Sequence, residues 1–313
     1  PNTNNSQFSS ITNRLATFTP AGGAGSYVLR WTITNSGCTS ISDVTITVNA
    51  VPTAANAGSN QTICSTGSAT LAANNPSIGT GAWSVVSGPS TSTSQFSSTA
   101  ANNAIFTPSG GAGSYVLRWT ISNAPCTASQ SNVTITVNAP PTPANAGTAQ
   151  YVCTSVGTVT MAANAPSIGT GSWSQVSGPV TASIVSASSP TTTINGLTTA
   201  GTFVFRWTIS NSPCTASTSD VNVVAVGVPT SANAGPAQNA CTNPGTATMA
   251  ANNPIVGTGT WTQLSGPVSA TIVSPNAHNT GITGMTSPGN YVFRWTISNS
   301  PCTSSQSSMT ISV

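Results

Sequence analysis

One octapeptide recurs four times along the chain. Ser26-Tyr27-Val28-Leu29-Arg30-Trp31-Thr32-Ile33 returns at 114–121, again as Thr202-Phe203-Val204-Phe205-Arg206-Trp207-Thr208-Ile209, and once more at 290–297. Its Trp falls at 31, 119, 207 and 295, a spacing of 88 residues each time. A second Trp, at 83, 173 and 261, follows Gly-Thr-Gly-x, and Asn-Ala-Gly triplets begin at 56, 145 and 233. Self-similarity at a fixed period means an array of like units, each of which buries its own apolar face. Pro1 aligns with Pro89, so residues 1–50 form a partial repeat holding only the C-terminal strands, and whole repeats follow at 51–139, 140–227 and 228–313. A sandwich without its first strands leaves apolar surface in water, at about 25 cal/mol per Å². The missing strands are expected to belong to a longer polypeptide, or else to be supplied by another chain.

Within a repeat, short apolar-alternating runs are separated by turn chemistry. In 51–139 the runs 68–73, 82–86, 104–107, 114–122 and 132–138 read as strands, parted by Asn75-Pro76, Ser87-Gly88-Pro89, Gly110-Gly111-Ala112-Gly113 and Asn123-Ala124-Pro125. Alternation puts Tyr115, Leu117, Trp119 and Ile121 on one face and Val116, Arg118 and Thr120 on the other. No window has helical periodicity. Units of about 90 residues with about seven strands predict an all-β chain of tandem immunoglobulin-like β-sandwich modules. The Pro-rich joints at 51–55, 139–143 and 228–231 favour extended connections, hence modules arranged end to end as a rod.

Composition removes whole classes of function. Five Arg and two Asp are the only charged side chains, and there is no Lys or Glu. Asp43, Asp220 and His278 are then the only carboxylate and imidazole side chains for proton transfer, so the chain is expected not to be an enzyme and to need no cofactor. A net charge of +3 is too small for nucleic acid, whose binding rests on many phosphate contacts. No apolar run approaches the roughly 20 residues of a membrane span. Yet 37% of the residues are hydrophobic, enough to fold.

Seven Cys occupy two places in the repeat: Cys64, Cys153 and Cys241 early, and Cys38, Cys126, Cys214 and Cys302 after the octapeptide strand. With no C-x-x-C and one His, a disulfide framework in an oxidising, extracellular setting is expected rather than a metal site. Pairing within each repeat is the leading expectation: Cys64–Cys126, Cys153–Cys214 and Cys241–Cys302, with Cys38 unpaired. Pairing between neighbouring repeats, such as Cys64 with Cys214, and pairing across the linkers, such as Cys126 with Cys153, are the alternatives. Trp31, Trp83, Trp119, Trp173, Trp207, Trp261 and Trp295 are expected in the structural core. Arg30, Arg118, Arg206 and Arg294 are expected on the opposite, outer face, covering apolar surface and with at most a distant Asp as partner.

The combination of W-S-x-V-S-G, R-W-T-I-S-N-x-P-C and V-T-I-T-V-N, spread over essentially the whole chain, resembles the PKD-like or Ig-like repeats of large secreted Bacteroidetes surface proteins. That resemblance implies a surface location, export by type IX secretion and a place in the stalk of an adhesin, gliding or biofilm protein. Many members carry an acidic pair before the last strand, where this chain has Asp43, Asn132, Asp220 and Ser308, so no cation site is carried over. Residues and resemblance together predict a non-catalytic extracellular structural repeat forming a stalk, fibre or filament. The expected partners are copies of itself or further repeats. The alternative is an adhesive module that holds glycan or a cell surface through exposed aromatic and Arg side chains.

Overall fold

The computed structural model describes residues 2–313. The partial repeat contributes one long hairpin, β1 (Gly25–Asn35) and β2 (Cys38–Val48). The second repeat adds β3 (Gln61–Cys64), β4 (Ala69–Thr70), β5 (Thr80–Ser87), β6 (Ile105–Phe106), β7 (Gly113–Asn123) and β8 (Cys126–Asn138). The third contains β9 (Gln150–Cys153), β10 (Thr158–Thr160), β11 (Thr170–Ser177), β12 (Ser183–Ile184), β13 (Thr193–Asn195), β14 (Gly201–Ser210) and β15 (Ser217–Val226). The fourth repeats that series as β16 (Gln238–Asn239), β17 (Ala247–Thr248), β18 (Thr258–Ser265), β19 (Thr271–Ile272), β20 (Gly281–Thr283), β21 (Asn290–Ser298) and β22 (Ser305–Ser312).

Each complete repeat is a two-layer, immunoglobulin-like sandwich. One layer has four strands, in the orders β3-β8-β7-β5, β11-β14-β15-β9 and β16-β22-β21-β18. The first strand of each repeat lies parallel on the last, with Gln61 opposite Ile135 and Cys64 opposite Asn138. The facing layer is β10-β13-β12 or β17-β20-β19; in the second repeat it is β4-β6 with a bridge from Phe96 to Phe106. The chain is all-β in tandem modules. Among the described residues no helix is long and apolar enough to cross a membrane.

By compact packing the chain divides into two units, residues 1–140 with 211–215, and residues 141–210 with 216–313. In the first unit the core is that of the second repeat. Strand alternation sends Tyr115, Leu117, Trp119 and Ile121 inward, where all four are fully buried, while Val116, Arg118 and Thr120 point outward. Trp83 meets Trp119 from the neighbouring strand with ring centroids 5.1 Å apart. In the second unit two further cores gather around Trp173 with Trp207 and around Trp261 with Trp295. Burial of each such large apolar side chain stabilises its module by about 1.5–3 kcal/mol or more.

Trp31 departs from the expected core. It is 39% exposed, against 0% for its equivalent Trp119. The physical reason is that β1 pairs only with β2, so no strand stands where β5 covers Trp119, while the Phe8–Phe18 bridge covers only the Tyr27 end of the hairpin, with the Phe18 and Tyr27 ring centroids 5.3 Å apart.

Candidate functional site

The features that recur in every complete repeat are its cysteines, its Trp pair and its Arg, and the cysteines define the most distinctive site. Because β3 runs parallel to β8, Cys64 sits beside Asn138 at the far end of that strand, whereas Cys126 begins it. Twelve residues of strand at about 3.3 Å each separate the two ends by roughly 40 Å. A disulfide tolerates a Cα separation of only about 7 Å. Pairing within a repeat is thereby excluded for Cys64 with Cys126. The same holds for Cys153 with Cys214, since Cys153 lies opposite Val226 at the end of β15 and Cys214 precedes its start.

The bonds formed are Cys64–Cys214 and Cys153–Cys302, with Cα atoms 4.8 and 4.9 Å apart. Each joins the end of one repeat's first strand to the hairpin loop of the next repeat. Cys126, Cys241 and Cys38 are free. For Cys126 and Cys241 this corrects the leading expectation, and pairing between neighbouring repeats, weighed from sequence as an alternative, is the arrangement found.

Side-chain amides dock the loops before sulfur chemistry adds anything. Asn211 Nδ2 donates to Ala139 O at 2.7 Å, and Asn138 Nδ2 donates back to Ser212 O at 2.6 Å. In the other unit Asn299 Nδ2 donates to Gly227 O at 2.7 Å. The free Cys126 belongs to a loop held in the same way: Asn123 Nδ2 donates to Ala50 O at 2.7 Å, Asn49 Nδ2 donates to Ala124 O, and the Cys126 thiol reaches Asn49 O at 3.4 Å. Asn-x-Pro-Cys is thus a docking loop in which the Asn supplies the hydrogen bond and the Cys stands ready to lock it.

The other recurring groups serve the modules. Six of the seven Trp are buried, so they present no face to a ligand. The Arg lie on the outer sheet face, and here the expected distant Asp is corrected. Tight hairpins bring Asp43 directly across from Arg30 and Asp220 across from Arg206. Both pairs are bidentate, at 2.8 and 2.9 Å and at 2.7 and 2.8 Å. In the second repeat Arg118 instead donates to Asn132 Oδ1 at 2.9 Å, and Arg294 faces Ser308. The guanidinium hydrogen bonds hold the Asp43 and Asp220 carboxyls below the usual aspartate range, outweighing the opposing effect of desolvation. Any stability these exposed pairs add is therefore full at neutral pH and is lost as pH falls through the lowered values. In a carbon-detected NMR titration both carboxyls are expected to have midpoints below that of an unpaired aspartate; an ordinary midpoint would mean that the pairs do not persist in solution.

Comparison with known proteins bears on the repeats themselves. Residues 146–225 match the family described as K319L-like, PKD domain. That match lies within the third repeat, whose sequence pattern the other repeats share. No curated protein sequence matches the chain. Among solved structures, the titin I67–I69 E-to-A variant is similar over 83% of this chain and 98% of its own, at 13% identity and a TM-score of 0.49. Extracellular domains 3–5 of Drosophila OTK are similar over 84% and 96%, at 13% identity and 0.40. The PKD domain of KIAA 1837 protein is similar over 27% of this chain and 85% of its own, at 27% identity and 0.24.

Proposed function

We propose that the chain is a non-catalytic, extracellular structural protein, a stretch of surface stalk or filament whose repeats are fastened one to the next by disulfides. The observation that carries this reading is the placement of Cys64–Cys214 and Cys153–Cys302, each running from one repeat into its neighbour. A bond so placed does little for the interior of a single module and much for the continuity of a series. Two further features support it. Disulfides persist in oxidising compartments. Both Asp side chains are tied to Arg on exposed sheet faces, which leaves no carboxylate side chain free for general acid–base work. Membership of the modules as drawn from sequence, 1–50, 51–139, 140–227 and 228–313, belongs to the same proposal, as does association with copies of itself at a surface low in charge.

Recognition of glycan through aromatic side chains is the weaker reading, because burial of six Trp withdraws the residues on which it rests. Electron micrographs of the native assembly test the proposal. Fibres with an axial repeat set by the modules are expected, and isolated particles without fibres would overturn the filament.

A further inference from the structure

The bonds Cys64–Cys214 and Cys153–Cys302 create two covalent junctions, one joining residues 64 and 214 and the other joining 153 and 302. Three stretches of backbone run between these junctions: 64–153, 153–214 and 214–302, of 89, 61 and 88 residues. Along the backbone they follow one another. Through the disulfides they lie in parallel, each connecting the same two points.

One sheet contains strands from all three stretches. In the order β11-β14-β15-β9, β9 ends the first stretch, β11 and β14 belong to the second, and β15 begins the third. The β14–β15 pairing runs from Gly201 with Ala225 to Ile209 with Ser217. The parallel ladder of β15 with β9 runs from Val223 with Gln150 to Val226 with Cys153. Cys214 precedes the start of β15 and Cys153 lies at its end, twelve residues of strand or roughly 40 Å away. Tension between the junctions therefore enters β15 at its N-terminal end and β9 at its C-terminal end. It draws the two strands past each other along their axes, a direction in which ladder hydrogen bonds share the strain instead of opening one by one. The junctions can move apart only when all three stretches open, so none of them is drawn out alone.

We propose that the two disulfides act as an extension stop, with the third repeat as the link that carries tension across the chain. The shortest covalent route from Cys64 to Cys302 crosses to Cys214, runs backward through the third repeat to Cys153, and crosses again to Cys302. That route holds 61 residues, against 238 along the backbone from 64 to 302. At about 3.5 Å per extended residue the limits are about 21 nm and about 83 nm. Residues 65–152 and 215–301 stay slack at full stretch, held in reserve behind the shorter route. The stop follows from the connectivity of the bonds and is independent of filament formation.

Single-molecule force spectroscopy tests this on the 313-residue protein, held by peptide tags at its two ends. Cys38, Cys126 and Cys241 are alkylated first, so that no free thiol can reshuffle the bonds. A variant with serine at all four bonded positions is expected to reach a full extension about 62 nm beyond the parent's. Cys64→Ser with Cys214→Ser leaves a route of 89 residues between the same points, and Cys153→Ser with Cys302→Ser leaves 88. Each pair variant should therefore gain only about 10 nm, and the two gains together should reach about a third of the fourfold variant's. Gains that add up to the fourfold value, as separate loops would give, overturn the proposal, and so does a fourfold variant no longer than the parent. Full extension is read on the unfolded chain, so a variant that fails to fold still reports it. The folded parent should also open at a higher force than either folded pair variant, in which one stretch takes the tension alone. Equal opening forces overturn the sharing of tension in the third repeat.

Discussion

A chain with serine in place of both Cys64 and Cys214 is expected to lose about 5 kcal/mol of resistance to guanidinium unfolding in the region those residues join. The bond spans 150 residues. The loop-entropy treatment of a cross-link gives about 5 kcal/mol for a closure of that length, because the bond chiefly restricts the unfolded chain. The Asn211 and Asn138 amide hydrogen bonds that dock the same loop remain in the variant. The expected phenotype is therefore an earlier unfolding transition followed by Trp fluorescence, with the modules still folded in buffer. Cys38→Ser is the matched control, since Cys38 is exposed and free, and a surface change of that kind alters stability by about 0.5 kcal/mol or less. Equal midpoints for the double variant and the control would show that the cross-link carries no stability.

Gly171→Ala is expected to be nearly as damaging, for an unrelated reason. Gly171 pairs with Ile209 on the strand that bears Trp207, and the Trp207 ring lies over the glycine. A Cβ there would stand 2.1 Å from Trp207 Cζ2 and 2.4 Å from Cη2. The ring is fully buried and donates through Nε1 to Asn164 O at 3.1 Å, so it cannot swing aside without breaking that partly buried hydrogen bond. Overpacking a filled core costs about 1–3 kcal/mol and more where nothing can yield; the value expected here is about 3 kcal/mol, read as a lowered thermal midpoint for the third module. Trp207→Phe in the same chain should recover part of the loss, giving a double variant more stable than the two single effects summed. An Ala variant as stable as the parent would mean that the ring does not lie on the glycine. Gly81 and Gly259 stand in the same relation to Trp119 and Trp295.

That glycine also marks where sequence reading stops. The Gly-Thr-Gly-x-Trp pattern was visible as a repeat, and alternation in 114–121 identifies the buried Tyr115, Leu117, Trp119 and Ile121. Periodicity reports which face a residue takes, and it reported that well. It does not report which atom lies across the sheet, so the glycine as a seat for the opposite Trp was invisible. The edge strand β3 went unread because Gln61-Thr62-Ile63-Cys64 is four residues long with little alternation, and the parallel direction of that strand decides the cysteine pairing. The register on β8 sets the two cysteines of a repeat at a distance no disulfide can span. The Arg–Asp pairs were missed because thirteen or fourteen residues along the chain become one step across a tight hairpin. Composition alone could not distinguish decorative serines from working ones. Ser129 and Ser131 Oγ accept from Ala55 N at 2.9 Å and Ala57 N at 3.2 Å, replacing backbone acceptors where the linker passes the last strand.

The two disulfides are interleaved in sequence: 64 to 214 and 153 to 302. Suppose a protease cleaves one peptide bond. Between 64 and 153 the pieces stay tied by the first bond, between 214 and 302 by the second, and between 153 and 214 by both. No single cut from residue 64 to residue 302 can release a fragment while the bonds are oxidised. The backbone of this chain is thus backed by a second covalent route: two cuts free at most the piece between them, and parting the ends takes a cut in each of the three intervals, or a single cut together with a reductant.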